Sequence, residues 1–424
     1  MKRQRLAVLA GCLILSFGIQ GCSQAAKEIE RPEKIVSKRV AVYDLEVYQE
    51  LAKRWKAYYD VFPSEDAYAN WMYAARYAED PEYNKMLEKG YKMYPANPTI
   101  LYLMGLCRLG DIQDFEGQRM LERAASLDPS FIDPWFGLVD HYMMRGDERL
   151  DAALRELLAG QAIPNEVMDY NYNTLLLLDP NAILITNGDM DTYPPWILIR
   201  IVKIRPDVVI VNRSLLNTEW YPGLLMKEGL PRFISPDELT ALRQSILDKI
   251  KAEKGKIPSA GPFSDTLLVK IIEAAQREGR PVYFAATLYS SPVIDRYTGG
   301  GRNLGLVMLV TPSKAAYEDQ IEAAFNLWLK DFRTAGLDNW SLRYTSEKLF
   351  GRKLVMNYVH SMLHLADKIE KLPVALRLSL FHWYQEHLRA LIPEKSIGEC
   401  DRMWCHSSDV KEIGDWCRQQ GYLK

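Results

Sequence analysis

The 424-residue sequence lacks any cluster of basic residues, and beyond residue 22 it lacks any apolar segment as long as a membrane helix. Its 53 Lys and Arg residues are nearly balanced by 55 Asp and Glu residues. Nucleic-acid binding depends on a basic patch, so a nucleic-acid partner is not expected. A spanning helix needs about 20 apolar residues, so we expect the body of the chain to fold in water.

A short apolar leader precedes this body. Basic residues at positions 2, 3 and 5 are followed by an apolar run over residues 6–19, and Gly21 stands directly before Cys22. This order is typical of a secretory signal peptide, and the cysteine makes it resemble the cleavage site of bacterial lipoproteins. We predict that residues 1–21 are removed and that Cys22 carries the lipid, the alternative being an uncleaved anchor. By resemblance to the usual sorting rule, Ser23 indicates an outer-membrane lipoprotein that faces the periplasm.

Cysteine is scarce in the body, and three of its four cysteines lie in the last 25 residues. In an oxidising compartment, a disulfide is the usual state of such residues. The spacing from Cys400 to His406 fits no strong zinc pattern, which disfavours a metal site in this tail. Four cysteines allow three pairings, which the sequence does not distinguish. The candidate disulfide cysteines are Cys107, Cys400, Cys405 and Cys417.

Two segments follow the leader. Residues 22–45 are charged and lack helical periodicity, so they are predicted to be a tether. Residues 46–168 have a helical pattern that repeats: Asn97-Pro98 recurs as Asp133-Pro134 after 36 residues. The pattern resembles degenerate tetratricopeptide repeats, whose helix pairs stack to bury their apolar faces; a plain helical bundle is the alternative. Such arrays usually bind proteins, so a protein partner is expected. Small residues are expected between the helices at Gly105, Ala124, Gly137 and Ala153.

Residues 175–315 alternate short apolar runs with helical segments. Such runs are typical of buried strands, and strand, helix and strand in succession indicate an open, mostly parallel sheet. Residues 316–395 are predicted to be a helical extension, and residues 396–424 a cysteine-containing tail. The predicted fold is therefore an N-terminal helical-repeat array, an α/β domain and a helical C-terminal region. The four predicted strands cover residues 182–186, 207–212, 281–287 and 304–310.

The loop after the first predicted strand is rich in polar side chains. Asn187-Gly188-Asp189 ends the strand, and a helix is predicted to begin near Pro194. In an open parallel sheet, ligands bind at the carboxyl ends of the strands. Two carboxylates two residues apart can share a divalent cation, so Asp189 and Asp191 are the candidate metal ligands and that cation the only candidate cofactor. The candidate ligand-binding residues are Asn187, Asp189, Asp191, Thr192, Tyr193, Asn212, Asn217, Trp220 and Tyr221.

Other interpretations of this loop stay open. Asn-Gly-Asp is also turn chemistry, and Asp191 or Thr192 before Pro194 can simply cap a helix. Paired carboxylates can also divide acid and base roles, although the sequence assigns no catalytic residue. His360 and His364 are four residues apart but lack the glutamate of a zinc protease motif, so they are expected to be structural or exposed.

Residues 180–370 resemble the soluble C-terminal region of bacterial membrane proteins related to protein O-mannosyltransferases. The resemblance is densest over residues 183–221, where that family has Asn-Gly-Asp-Asn-Asp-Thr-Phe/Tyr-Pro at the positions of Asn187 to Pro194. Met190 replaces the family's middle Asn. Further similar motifs are Arg205-Pro206-Asp207-Val208, Leu215-Leu216-Asn217-Thr218-Glu219-Trp220-Tyr221, Arg280-Pro281-Val282-Tyr283-Phe284-Ala285, Gly336-Leu337-Asp338-Asn339 and Asn357-Tyr358.

This resemblance implies a fold and a surface that binds a glycan or a protein. Sugar transfer in that family is ascribed to a membrane part with many spans, which this sequence lacks. We therefore expect a non-catalytic envelope lipoprotein whose repeats bind a partner protein and whose α/β domain binds a glycan or a glycosylated partner. The alternative is a metal-dependent enzyme outside the cytoplasm, a hydrolase or transferase acting on glycans or phosphoesters through Asp189 and Asp191.

Overall fold

The computed structural model of the protein describes residues 29–108, 113–252, 262–344 and 349–424. The predicted leader and lipidation site Cys22 lie outside these residues. The chain forms two compact units. Residues 44–90 belong to the first, together with the segment that ends at residue 35, and residues 36–43 and 91–424 form the second. Within the described ranges, no helix combines the length and the apolar composition needed to cross a bilayer.

The first unit is built from helices. Trp55 is fully buried in it, and its indole N–H donates to the Glu33 carbonyl at 3.0 Å. Ser64 caps the second helix, because its hydroxyl accepts the backbone N–H of Ala67. The helices are α1 (Leu45–Val61), α2 (Glu65–Tyr77) and α3 (Tyr83–Met93), whose last residues extend into the second unit.

The repeat-like array predicted over residues 46–168 comprises the helices of the first unit and the five helices that open the second unit. Asn97 caps the first of them, and Gly146 ends the third in a left-handed conformation, φ +64°, that glycine adopts without strain. The small residues expected between helices are confirmed: a Cβ on Gly105 would lie 2.7 Å from the Leu121 side chain, and Ala124 is fully buried. The helices are α4 (Pro98–Cys107), α5 (Glu116–Leu127), α6 (Asp133–Arg145), α7 (Leu150–Ala159) and α8 (Asn165–Leu176).

A five-stranded sheet follows, in the order β2-β1-β3-β5-β4. Ile183 of β1 pairs in parallel with Val209 of β2 and Val282 of β3, whereas β5 runs antiparallel to both β3 and β4. The predicted α/β domain is confirmed, and its parallel part consists of the three strands that carry the candidate site. The strands are β1 (Ile183–Thr186), β2 (Val209–Asn212), β3 (Val282–Ala285), β4 (Arg302–Asn303) and β5 (Val307–Leu309).

Helices connect these strands and continue to the C-terminus. Those between the strands are α9 (Tyr193–Arg200), α10 (Tyr221–Lys227), α11 (Pro236–Ala252), α12 (Pro262–Arg277) and α13 (Pro292–Thr298). The predicted helical C-terminal region is confirmed and contains α14 (Tyr317–Lys330), α15 (Trp340–Tyr344), α16 (Phe350–His364), α17 (Ala366–Ile369), α18 (Val374–Trp383), α19 (Glu394–Arg402) and α20 (Lys411–Gln419).

The predicted disulfide is present in the tail and joins Cys405 to Cys417, with their Cα atoms 5.9 Å apart. Cys107 and Cys400 are outside this bond. The fully buried Asp401 lies nearby in sequence and forms an ion pair with Arg389 at 2.9 Å. The tail is therefore held both by a covalent link and by an ion pair whose carboxylate is buried.

Part of the segment predicted as a tether, residues 36–43, belongs to the second unit. The backbone N–H of Phe350 donates to the Val40 carbonyl at 2.9 Å, and Ala41 forms an isolated antiparallel bridge with Leu349. The Ser37 hydroxyl donates to Asp133 at the start of α6, at 2.9 Å. Residues 36–43 thus lie against the array and the start of α16.

Candidate functional site

The predicted loop joins β1 to α9 at the carboxyl edge of the sheet. β1 ends at Thr186, a short 3-10 turn covers Asp189–Asp191, and two prolines occupy the first turn of α9. Proline has a fixed φ and no N–H, so it suits the start of a helix. The polar side chains of this loop form two groups with different partners. In the first group, Asp191 and Thr192 bond within the loop and at the ends of β2 and β3. In the second group, Asp189 and Tyr193 bond to Arg39 and to α6.

Asp191 accepts hydrogen bonds from within the loop and from the residue that follows β3 by two positions. Its carboxylate accepts the backbone N–H groups of Asn187, at 2.7 Å, and Gly188, at 2.8 Å, and it also accepts the hydroxyl of Thr287. Asp191 is buried, and burial raises the pKa of its carboxyl group although these hydrogen bonds oppose the shift. Three donors of the chain occupy its two oxygens, so Asp191 closes the turn.

Thr192, also in the first group, joins the loop to the end of β2. The side-chain amide of Asn212 donates to the Thr192 hydroxyl at 3.0 Å, and that hydroxyl lies 2.7 Å from the hydroxyl of Thr186. The backbone N–H of Asn212 donates to the Tyr221 hydroxyl at 2.9 Å. These four residues are buried. The predicted site residues among them are therefore brought together, but they bond to one another.

Asn217 and Trp220 take no part in those hydrogen bonds. Asn217 is exposed, and its side-chain amide donates to the Ser214 carbonyl at 3.2 Å. The Trp220 ring meets the Tyr221 ring edge to face, with centres 5.3 Å apart. Of the three aromatic candidate residues, Trp220 and Tyr221 therefore lie together, whereas the Tyr193 hydroxyl is directed to Asp140.

Asp189 belongs to the second group and faces the N-terminal segment. Its carboxylate pairs with the Arg39 guanidinium at 3.0 Å, and its side chain is 50% exposed. Arg39 also lies over the Phe136 ring, 4.0 Å from its centre, and donates to the Tyr102 hydroxyl at 3.2 Å. This ion pair joins the loop to residues 36–43 and, through Arg39, to α4 and α6.

Tyr193 completes the second group. Its hydroxyl donates to the Asp140 carboxylate of α6 at 2.8 Å, and its ring packs edge to face on Phe136. Burial, together with the negative charge of Asp189, raises the pKa of Asp140 to about 7. Burial also raises the pKa of Tyr193 well above its ordinary value. A carboxyl group that titrates near neutrality therefore lies at the contact between the loop and α6.

Sequence reasoning missed the partners that hold the loops in place. Arg213, directly after β2, pairs with Asp265 of α12 at 2.8 Å and donates to the Tyr289 carbonyl at 3.0 Å. Both members of the ion pair are buried. It links the loop after β2 to the loop after β3. No local pattern marks Asp265, Thr287 or Arg39 as partners, because each is far away in sequence.

The chemistry available to this site is limited by these contacts. Asp189 and Asp191, the predicted metal pair, have different partners, and the oxygens of Asp191 already accept three hydrogen bonds. In the part of the chain that the structure describes, no group of three or more His, Cys, Asp or Glu side chains is arranged to hold a metal ion. The carboxyl group of Asp140, with a pKa of about 7, is the group of this site that titrates near neutrality.

A pocket of about 260 Å³ lies next to this network, at the end of β3. It is bounded by the end of β3, by β5 with the turn before it, by α13 and by one face of α16. His360 and His364, expected to be structural or exposed, are exposed side chains in its lining. The lining residues are Phe284, Ala285, Ala286, Leu288, Ile294, Thr298, Asn303, Gly305, Val307, Met308, Asn357, His360, Ser361 and His364.

One family model matches the region of this site. TMEM260-associated domain 2 matches residues 167–228, from α8 through β1 and β2 to α10. The match includes all of residues 183–221, where the resemblance in sequence is densest. No significant match was found among curated proteins, and none among solved structures.

Proposed function

We propose that this protein is an envelope lipoprotein that binds other molecules and performs no catalysis. Its helical array binds a partner protein, and its α/β domain binds a glycan or a glycosylated partner. The observation that carries this proposal is that the carboxylates of both candidate metal ligands already bond to other groups of the chain. Asp191 is used to close a turn, and Asp189 is used to hold Arg39.

The glycan part of the proposal is supported by the family match. TMEM260, after which the matching domain is named, is a protein O-mannosyltransferase. The match covers β1, β2 and the loops at their ends but only a small part of the chain. A domain associated with such enzymes, in a chain whose loop carboxylates bond internally, suits recognition of a glycan better than its synthesis.

The envelope part of the proposal is supported by the leader and by the Cys405–Cys417 disulfide, which is the bond expected in an oxidising compartment. We expect Cys22→Ser to release the protein from the membrane fraction of its host. Mass spectrometry of the N-terminal peptide should show acyl chains on Cys22. An unmodified Cys22, or an intact leader, would contradict the lipoprotein proposal.

The scaffold part rests on exposed apolar side chains of the array. Leu127 at the end of α5 is 47% exposed, and Leu158 near the end of α7 is 39% exposed. Chemical cross-linking in intact cells should give a defined partner with the wild type and lose it in Leu127→Asp plus Leu158→Asp. Leu247→Asp on α11, where the side chain is 51% exposed, is the matched control. The same cross-links in both variants would contradict an array-bound partner.

Binding of a glycan is tested with the intact protein on a glycan array, in buffer containing a chelator. We expect a restricted set of glycans to be retained. Retention of none would contradict glycan binding.

A metal-dependent enzyme is the second candidate, and the half-exposed Asp189 near a carboxyl group with a pKa of about 7 favours it. The discriminating measurement is thermal unfolding with Mg²⁺, Mn²⁺, Ca²⁺ or Zn²⁺. A large stabilisation that disappears in both Asp189→Asn and Asp191→Asn would favour the enzyme. No shift with any of the ions would favour the binding protein.

A further inference from the structure

We infer that the pocket between the end of β3 and α16 is where the α/β domain takes its ligand, and that this ligand is a neutral, hydroxyl-bearing molecule with a single ring, such as one sugar residue. The inference rests on the proposed binding function and relocates its site. The loop of Asp189 and Asp191 has its carboxylates engaged by other groups of the chain, whereas this pocket offers the imidazoles of His360 and His364.

The two walls of the pocket differ in chemistry. One wall is mostly apolar and includes Phe284, Val307 and Ile294 from β3, β5 and α13, with Thr298 and Asn303 as its polar members. The opposite wall is a polar stripe of α16. Its members, at positions 357, 360, 361 and 364, have the spacing of one helical face. A ligand with one apolar face and several hydroxyl groups matches such a pair of walls.

Uncommitted hydrogen-bonding groups line the polar wall. His360 and His364 have exposed side chains at the pocket, and neither imidazole hydrogen-bonds to the described part of the chain. Partial burial of its ring, and secondly the neighbouring His364, lowers the pKa of His360, which favours the neutral form of the ring at pH 7. A neutral imidazole has one N–H donor and one acceptor nitrogen, which suits a hydroxyl group that also donates and accepts.

The charge of the lining excludes strongly ionic ligands. None of its fourteen residues is Asp, Glu, Lys or Arg. A charge taken out of water without a partner is costly, so a carboxylate, phosphate or ammonium group is disfavoured there. The two exposed histidines are the only titratable lining residues. The lining therefore selects for a neutral molecule at pH 7.

The size of the pocket limits the ligand to one ring. Its volume of about 260 Å³ is below the roughly 300–1,000 Å³ of sites for drug-sized ligands. A longer glycan would leave its remaining residues outside. The nearby loop supplies an exposed aromatic side chain, Tyr289, which is 75% exposed and one position after the pocket residue Leu288.

The test uses saturation-transfer NMR and calorimetry on the whole protein at pH 7. The probes are methyl α-glucopyranoside, methyl α-mannopyranoside and N-acetylglucosamine, with glucuronate and glucosamine as charged counterparts. We expect at least one neutral sugar to bind, and its charged counterpart to bind at least about tenfold more weakly. Stronger binding of glucuronate or glucosamine than of every neutral sugar would overturn the neutral-ligand assignment.

Variants then locate the site. Asn357→Leu, His360→Leu with His364→Leu, and Ala286→Phe, which adds bulk at an exposed lining position, should each weaken sugar binding by about tenfold or more. His382→Leu is the matched control, because this exposed histidine pairs with Glu412 and does not line the pocket. Thermal unfolding of each variant checks that it is folded.

The outcomes separate this inference from the proposed function. Binding to the glycan array that all pocket variants retain would overturn the pocket assignment and leave the proposed function standing. Array glycans that bind while no neutral single sugar does would have the same meaning. Failure to bind any array glycan would overturn both.

Discussion

At the scale of single residues, the contrast between Asp189 and Asp191 defines the loop. They are two positions apart, yet Asp189 is half exposed in an ion pair and Asp191 is buried among three donors. Their substitution should therefore have unequal effects on stability, even though the sequence presents them as a pair.

We expect Asp191→Asn to lower the free energy of unfolding by about 1–3 kcal/mol, because an amide group would face a backbone N–H without accepting it. Asp189→Asn, the matched control, breaks a partly exposed ion pair and should cost at most about 1 kcal/mol. Urea unfolding of both variants measures the difference. Equal losses would contradict the structural role of Asp191.

Asp140 should make stability depend on pH. Its folded pKa of about 7 is above the ordinary value for an aspartate. Between about pH 4 and pH 7, the native state therefore holds a proton that the unfolded state releases, and stability falls as pH rises. Asp140→Asn should flatten this part of the curve. A wild-type curve in which Asp140 contributes stability that grows with pH would contradict the assignment.

His141 acts in the opposite direction. It is fully buried in α6, and burial lowers its pKa to about 4. Between about pH 4 and pH 6.5 the unfolded state binds the extra proton, so stability falls as pH falls. His141→Gln should reduce that loss. Proton-detected titration of the ring by NMR would contradict this account if its pKa were near 6.5.

The sequence indicated which loop residues are polar and near a strand end, but not what they do. Asn187, Thr192 and Asn212 are brought together as expected because parallel strands end at one edge. Their partners Thr287, Asp265 and Arg39 depend on tertiary packing between distant segments, which no local pattern contains. The same is true of the polar stripe of α16. His360 and His364 line a pocket only because β3 and β5 pack near this helix, which the local sequence does not indicate.

At the scale of elements, close contact between helices organises the array. A Cβ on Gly105 of α4 would lie 2.7 Å from Leu121 Cγ and 3.0 Å from the Gly117 carbonyl of α5. Gly105→Ala should therefore destabilise the protein by about 1–3 kcal/mol through overpacking. Gly223→Ala in α10, where nothing lies within 4 Å, should be neutral or stabilising by up to about 1 kcal/mol. Thermal unfolding compares the two, and equal effects would contradict the predicted contact.

The disulfide constrains the last helix. It links Cys405, after α19, to Cys417 in α20 across 12 positions. Removing it through Cys405→Ala plus Cys417→Ala should cost on the order of 3 kcal/mol. Cys107→Ala is the control, because it lies outside the bond. In chemical denaturation, a reductant should cause the same loss in the wild type and in Cys107→Ala, and no further loss in the double variant.

Elements were predictable where composition is distinctive. β1 and β2 are short apolar runs bounded by polar turns, so their positions follow from sequence. β4 has two polar residues, Arg302 and Asn303, and no apolar run indicates it. The sequence also does not indicate the direction of β5. A buried strand has the same apolar pattern whether it pairs with β3 in the parallel or the antiparallel direction.

At the scale of the whole molecule, we propose that a lipid-anchored chain binds a glycan without a metal and without changing it. The α/β sheet, its internally bonded loop and the neighbouring neutral pocket belong to the second unit, as does the segment of residues 36–43 that follows the proposed anchor. That segment contacts the loop through the ion pair of Arg39 with Asp189, so residues 36–43 lie at the candidate site.

The most direct test is calorimetric titration of a glycan retained on the array, with chelator-treated protein, followed by mass spectrometry of the recovered glycan. We expect saturable binding that is unchanged by added Mg²⁺, Mn²⁺ or Zn²⁺, with the glycan recovered intact. Binding that appears only with a divalent ion and disappears in Asp189→Asn, or a glycan that is cleaved or extended, would contradict this expectation.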